Sequence, residues 1–247
     1  MGAVPRLAVV LLSVLALAVA GVSVALAQEL DEPAAPLPPP PAPPPEVVSE
    51  PTPQATPQQA NGPPPETSAP VRWRSSRSLG RPFAGRLARG VELPESGRDY
   101  FTWDPILKRT PSRAWRRWGT DRLVRTLLRV LGEHRAAHPG APRVGIGDLS
   151  RPRGGSFDAR YGGIGHASHQ NGLDVDVYYP RLDGAERRPF TPAQVDQALA
   201  QDLVDRFVVA GAQFVFVGPR LSLRGPRKVV SELVHHDDHL HVRLRAR

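Results

Sequence analysis

Two short stretches of this chain concentrate histidine and aspartate. The first reads His166-Ala-Ser-His169-Gln-Asn-Gly172-Leu-Asp174-Val-Asp176, and the second, far downstream, reads His236-Asp-Asp-His239-Leu-His241. Imidazole nitrogens and carboxylate oxygens are donors that Zn²⁺ accepts, and two His with one Asp fill three of its four positions. A fourth position left open to water is the ligand count of a catalytic zinc rather than of a closed structural one. Zinc brings the pKa of such a water to about 7, and a neighbouring base can remove its proton during attack on a substrate. The same donors would also accept Co²⁺ or Mn²⁺.

Spacing supports convergence. In an extended segment, residues i and i+2 share a face, about 7 Å apart. His239 and His241 therefore enter one cleft, and Asp174 and Asp176 share a face of their own strand. Six residues separate His169 from Asp176, and Gly172 lets that loop bend tightly enough for both to reach one ion. Each part alone has a plainer reading. His-x-His is a common pair, a strand-end Asp is more often capped or paired, and His134 and His138, at a helix end, read as surface residues. The coincidence of both patches at strand ends points to a metal hydrolase, with a metal-stabilised module lacking catalysis as the alternative.

The elements that must position these groups follow from periodicity and punctuation. Thr120 is a helix N-cap candidate, and Leu123, Val124, Leu127, Leu128 and Leu131 form one apolar stripe that ends near Pro139-Gly140. A short strand is expected over Arg143–Asp148, then a Pro- and Gly-held loop over Ser150–Gly155, then a strand over Leu173–Tyr178. A second helix is expected from Thr191, with Pro192 at its first position, to about Ala210, its core face being Val195, Leu199, Leu203, Phe207 and Val208. Phe214–Val217 reads as a buried strand, Pro219–Pro226 as a turn region and His239–Leu244 as the last strand. Trp73–Trp118 reads as an irregular wrapping segment with short strands. The expected class is α+β, a small, mostly antiparallel sheet with flanking helices.

The ends and the charge say where such a site would work. Arg6 followed by the apolar run Ala8–Ala27 has the form of an export signal, and Ala25-Leu26-Ala27 offers a cleavage site before Gln28. The run is also about long enough to serve as an uncleaved anchor. Residues 28–71 read as a linker: Pro33 to Pro70 holds 16 of the 29 prolines, which favour extended, semi-rigid chain. Residues 72–247 then form one domain with 31 basic and 18 acidic residues. Nucleic acid is not the expected partner, because the arginines are scattered and the domain is exported; an anionic cell wall is. A membrane would be met only through the N-terminal segment, if it is retained. There is no cysteine, so neither a disulfide nor an acyl-cysteine anchor can form.

The segment Gly147-Asp148-Leu-Ser150 with Gly154-Gly155, His166-Ala-Ser-His169-Gln with Gly172-Leu-Asp-Val-Asp176, and His236-Asp-Asp-His239-Leu-His241-Val-Arg-Leu244 together resemble the penicillin-insensitive murein endopeptidases, within the wider lysostaphin/D-Ala-D-Ala metallopeptidase group. The resemblance runs from Gly147 to Leu244; Trp73 to Arg143 carries no matching motif. It implies that His169, Asp176 and His241 bind Zn²⁺ at the centre of the sheet, that His239 is the general base, and that His166 and His236 line the cleft as further catalytic groups. It implies a D,D-endopeptidase that cuts peptide cross-links of peptidoglycan by metal-activated water, exported to the periplasm or to the cell wall and extracellular space. Arg153 and Ser168 are the expected substrate contacts. A D,D-carboxypeptidase or dipeptidase on free D-Ala termini would use the same metal kit, with Arg151, Arg153 or Arg243 meeting the terminal carboxylate. A wall-binding module without activity is the remaining alternative.

Overall fold

A computed structural model describes residues 69–163 and 166–246. The expected export signal over 1–27 lies outside the described residues, as does the linker up to residue 68. The chain opens with a hairpin, β1 (Arg77–Arg81) and β2 (Ala84–Ala88), followed by β3 (Val91–Glu92), β4 (Tyr100–Thr102) and β5 (Trp118–Gly119). Then come the helix α1 (Asp121–Ala137), the strands β6 (Val144–Ile146) and β7 (Asp174–Tyr178), and the helix α2 (Gln197–Val209). The strands β8 (Ala212–Val217), β9 (Val230–Glu232) and β10 (His239–Leu244) close the fold. The class is α+β, as the patterning predicts.

Six strands form the central sheet in the order β4-β6-β7-β10-β8-β9. The inner pairs β6/β7, β7/β10 and β10/β8 are antiparallel, while the two edge pairs β4/β6 and β8/β9 are parallel. The last strand of the chain is thus central, inserted between β7 and β8. Alternation gives this sheet two chemically opposite faces. Val175, Val177, Val215, Val217, Leu240 and Val242 enter a core shared with Leu123, Leu127, Leu131, Leu203 and Phe207 of the helices. Asp174, Asp176, Tyr178, His239, His241, Arg243, Phe214 and Phe216 occupy the other face.

Helix α1 begins where the sequence places it: the Thr120 hydroxyl accepts from Leu123 N–H at 3.1 Å. Leu123, Val124, Leu127, Val130 and Leu131 are at most 1% exposed, each worth about 1.5–3 kcal/mol of gross hydrophobic stabilisation. The second helix departs from expectation. Pro192–Gln194 is a single 3₁₀ turn, and α2 starts only after Asp196, whose carboxylate accepts from Ala198 and Leu199 N–H, both at 3.1 Å. A better cap four residues on, with Val195 held extended against Arg181, wins over Pro192 at a first position. Its buried face is accordingly Ala200, Leu203, Val204 and Phe207. His134 also differs: it is not a surface residue but 1% exposed, facing Asp202 of α2.

Candidate metal centre

The register of the central strands builds the site. His241 stands opposite Asp176, Arg243 opposite Asp174, and His239 opposite Tyr178. Facing residues in such a ladder have Cβ atoms about 4.5–5.5 Å apart, so the Asp of one strand meets the His of the next without any loop rearrangement. The third member comes from the loop before β7. His169 has φ +66, a left-handed conformation costly for a side chain with a Cβ. Its ring is fixed there by the Leu149 carbonyl, 2.6 Å from Nδ1. Gly172, with φ +75, completes the bend; a Cβ there would lie 2.7 Å from Leu87 Cδ1.

Three atoms converge as a result. His169 Nε2, His241 Nδ1 and Asp176 Oδ1 form a triangle with all three edges at 3.2 Å. Ligands about 2.0–2.1 Å from a tetrahedrally held ion stand about 3.3 Å apart. The outer nitrogen of each imidazole is engaged elsewhere: His169 Nδ1 by the Leu149 carbonyl, and His241 Nε2 by Asp174 at 2.8 Å. Each ring therefore places its proton outward and its lone pair inward, the arrangement in which metal-ligating histidines are held by their surroundings. Asp176 Oδ1 is buried and accepts no hydrogen bond. Two nitrogen lone pairs and a carboxylate oxygen thus face one another with no donor between them, which suits a cation. Burial alone would push the Asp176 carboxyl up, but positive charge on the His169 and His239 imidazoles, whenever they take up a second proton, outweighs it and holds it well below the usual carboxylate range.

His239 stands beside this triangle rather than in it, its Nε2 3.7 Å from Asp176 Oδ1. Its Nδ1 is 2.6 Å from Asp238, whose other oxygen accepts from Arg188 Nη1 at 2.6 Å. Nδ1 thus carries the proton, leaving the Nε2 lone pair toward the triangle. Burial lowers the affinity of His239 for a second proton, but the Asp176 and Asp238 carboxylates outweigh it and raise its pKa. His166 lies within ligand range of His169 and Asp176. Its Nε2, however, is 2.7 Å from Asp148 and 3.8 Å from the nearer Asp176 oxygen, so it sits at the rim. Asp148 is itself buried and gripped by Arg116 at 2.5 and 2.6 Å. His236 also lies at the rim, its ring 4.7 Å from that of His239 and 6.3 Å from Phe216.

The structure therefore brings together six of the eight residues singled out in the sequence. Arg153 is exposed with no carboxylate partner among the described residues, and its carbonyl accepts from Leu87 N–H at 3.0 Å. Ser168 is 8% exposed and makes no hydrogen bond among the described residues. Sequence reasoning missed the supporting groups: Asp148 and Arg116, Asp238 and Arg188, and the wall formed by Phe216, whose ring is 5.6 Å from that of His241. A signal existed for two of them. Asp238 adjoins His239, and Phe214-x-Phe216 has the period of a strand with one face off the core. Arg116 lies in the segment without a motif.

A family model described as penicillin-insensitive murein endopeptidase matches residues 78–214, which takes in His166, His169 and Asp176 but stops before His236. A penicillin-insensitive murein endopeptidase of Salmonella heidelberg is 29% identical over 201 residues, covering 69% of this chain and 67% of that protein. One from Salmonella paratyphi B is 32% identical over 132 residues, covering 53% of this chain and 42% of its own length. The latter match spans under half of that relative.

Proposed function

Since the chain belongs to the penicillin-insensitive murein endopeptidase family, we propose that it is an exported zinc-dependent D,D-endopeptidase that hydrolyses peptide cross-links of peptidoglycan. One observation carries the reading: three inward lone pairs at 3.2 Å from one another, on His169, Asp176 and His241, with the outer nitrogens of both rings already engaged. These three residues would hold the ion. Zinc there would supply Lewis acidity toward the scissile carbonyl and a water acidic enough to ionise near neutral pH.

The chain's own groups account for the rest. His239 Nε2 takes the proton of the attacking water and delivers it to the leaving amine. Asp238, held by Arg188, keeps His239 in the tautomer that can do so and stabilises the imidazolium formed, the role that a buried carboxylate has behind a catalytic His. His166, fixed by the Asp148–Arg116 pair, and His236, beside Phe216, line the two ends of the cleft and orient the peptide. Arg153 and Ser168 are proposed to contact substrate further out. Attack by water forms no acyl-enzyme, so a β-lactam that acts by acylating a serine has no target here. Residues 1–27 would deliver the domain to the wall space, and 28–71 would tether or space it.

The test is product analysis by mass spectrometry on intact sacculi, with metal-loaded, chelated and zinc-restored protein. Cross-linked dimers should fall and monomers rise, with loss on chelation and return with zinc. Release of free D-Ala without loss of dimers would assign a carboxypeptidase instead. No product from metal-loaded protein would leave only a binding module.

A further inference from the structure

The β1–β2 hairpin has an inner face pinned to the metal-site loops and an outer face that carries three exposed arginines. Gln170, the residue after His169, donates its N–H to the Pro82 carbonyl at 3.0 Å, and Leu87 N–H bonds to the Arg153 carbonyl at 3.0 Å. Arg86 bridges Gly154, where a Cβ would collide with the Gln170 carbonyl at 2.1 Å. Two strands alone are marginal in water, so this packing holds the hairpin in place. The pairing Arg77↔Ala88, Leu79↔Arg86 and Arg81↔Ala84 puts Arg77, Arg81 and Arg86 on one face, and all three are exposed.

None of these three guanidiniums has a carboxylate partner among the described residues. The buried or half-buried Arg113, Arg116, Arg143, Arg181 and Arg206 are paired with acids at 2.5–2.6 Å, and what sets the hairpin apart from the other exposed arginines is three of them on one sheet face. Three exposed guanidiniums on one sheet face concentrate positive charge there, which suits an anionic polymer. Guanidinium is suited to carboxylates, which it meets with two parallel hydrogen bonds. We propose that this face docks the free carboxylates of peptidoglycan peptide stems, holding the polymer beside the cleft. This rests on the proposed substrate. The hairpin then contributes to binding an extended polymer and not to cleavage of a short peptide.

The test compares full-length, metal-loaded wild type with R77Q/R81Q/R86Q and with R77K/R81K/R86K. Co-sedimentation with sacculi on ice should show affinity falling about tenfold in the Gln variant and largely kept in the Lys variant, as charge contacts at an exposed surface imply. Wild-type binding should weaken as salt rises from about 0.05 to 0.5 M. Turnover of a soluble cross-linked muropeptide dimer should be the same in all three. Unchanged sacculus binding in the Gln variant would overturn the proposal, as would an equal loss on the soluble dimer, or loss of binding to phosphatidylglycerol vesicles alone. If the Gln variant does not fold, salt-insensitive binding by wild type overturns it. If wild type cleaves neither substrate while the Gln variant still loses sacculus binding, the catalytic reading fails and the docking face stands.

Discussion

Two clusters in this protein draw on the same residue types and do opposite things with them. His169, Asp176 and His241 meet on the polar face of the sheet; His134, His138 and Asp202 meet between α1 and α2. In the first, all three donor atoms stand 3.2 Å apart. In the second, His134 Nδ1 lies 2.6 Å from Asp202 Oδ2, and Arg206 takes the same carboxylate at 2.6 and 3.0 Å. A 2.6 Å contact is a hydrogen bond that leaves no room for an ion between its atoms. A guanidinium already neutralises that acid. What separates a candidate metal centre from a structural pair is therefore not the list of His and Asp but where their protons are sent. The first cluster turns its protons outward, to Leu149 and Asp174; the second turns a proton inward, onto its own carboxylate.

The largest effect follows from that contrast. His241→Ala should lose bound metal and all activity together, whereas the double variant H134Q/H138Q should keep one ion per chain by elemental analysis. Retention of metal in His241→Ala, or two ions per wild-type chain, would erase the distinction. The next effect separates ligand from base within the first cluster. His239→Ala should keep its metal while kcat falls about 10²–10⁴-fold; a variant stripped of metal would make His239 a ligand. Weaker again is the outward proton itself. Asp174→Asn should reduce metal affinity about 10–100-fold, measured by chelator competition, because it weakens the grip on His241 Nε2. An unchanged affinity would mean that tautomer control does not matter here.

The smallest effect belongs to the helix cluster and to pH. Burial pushes the His134 pKa down against the opposing pull of Asp202. Burial pushes Asp202 up, but Arg206, His134 and His138 outweigh it and bring its carboxyl to about 2. Below the ordinary His value of about 6.5, the unfolded chain binds a proton at residue 134 that the folded chain refuses, so stability falls as pH drops. Asp202 adds a further loss only as pH falls from about 4 toward 2. His134→Gln should therefore flatten the decline of Tm between about pH 7 and 5 by a few degrees, with kcat at neutral pH unchanged. An identical pH slope in both proteins would show that His134 binds its proton as readily in the folded chain as in the unfolded one.

How much of this was legible from residues alone depended on the range of the interaction. Asp174, Asp176, His239 and His241 lie on strands whose period of two is written in the sequence, so their shared faces could be read directly. Thr120 as a cap could be read for the same reason, since it acts on Leu123, three residues away. The start of α2 could not be separated from Pro192, because two valid start signals competed four residues apart. His134 looked like a surface residue because its partner, Asp202, is 68 positions along the chain. Arg116 was illegible on the same ground: its acid, Asp148, is 32 positions away, and no local pattern marks it.

The placement of β10 has a kinetic meaning. The last strand in sequence is a middle strand in space, and it carries both His239 and His241. Until it inserts between β7 and β8, those two strands have no common neighbour and Asp176 has no His241 to face. Contacts spanning about 70 residues close late and raise the contact order of folding. The His/Asp triangle cannot be assembled piecemeal as the chain emerges, because His241 reaches Asp176 only through β10. If the proposed ion binds there, its capture follows insertion of β10 and couples metal binding to completion of the domain.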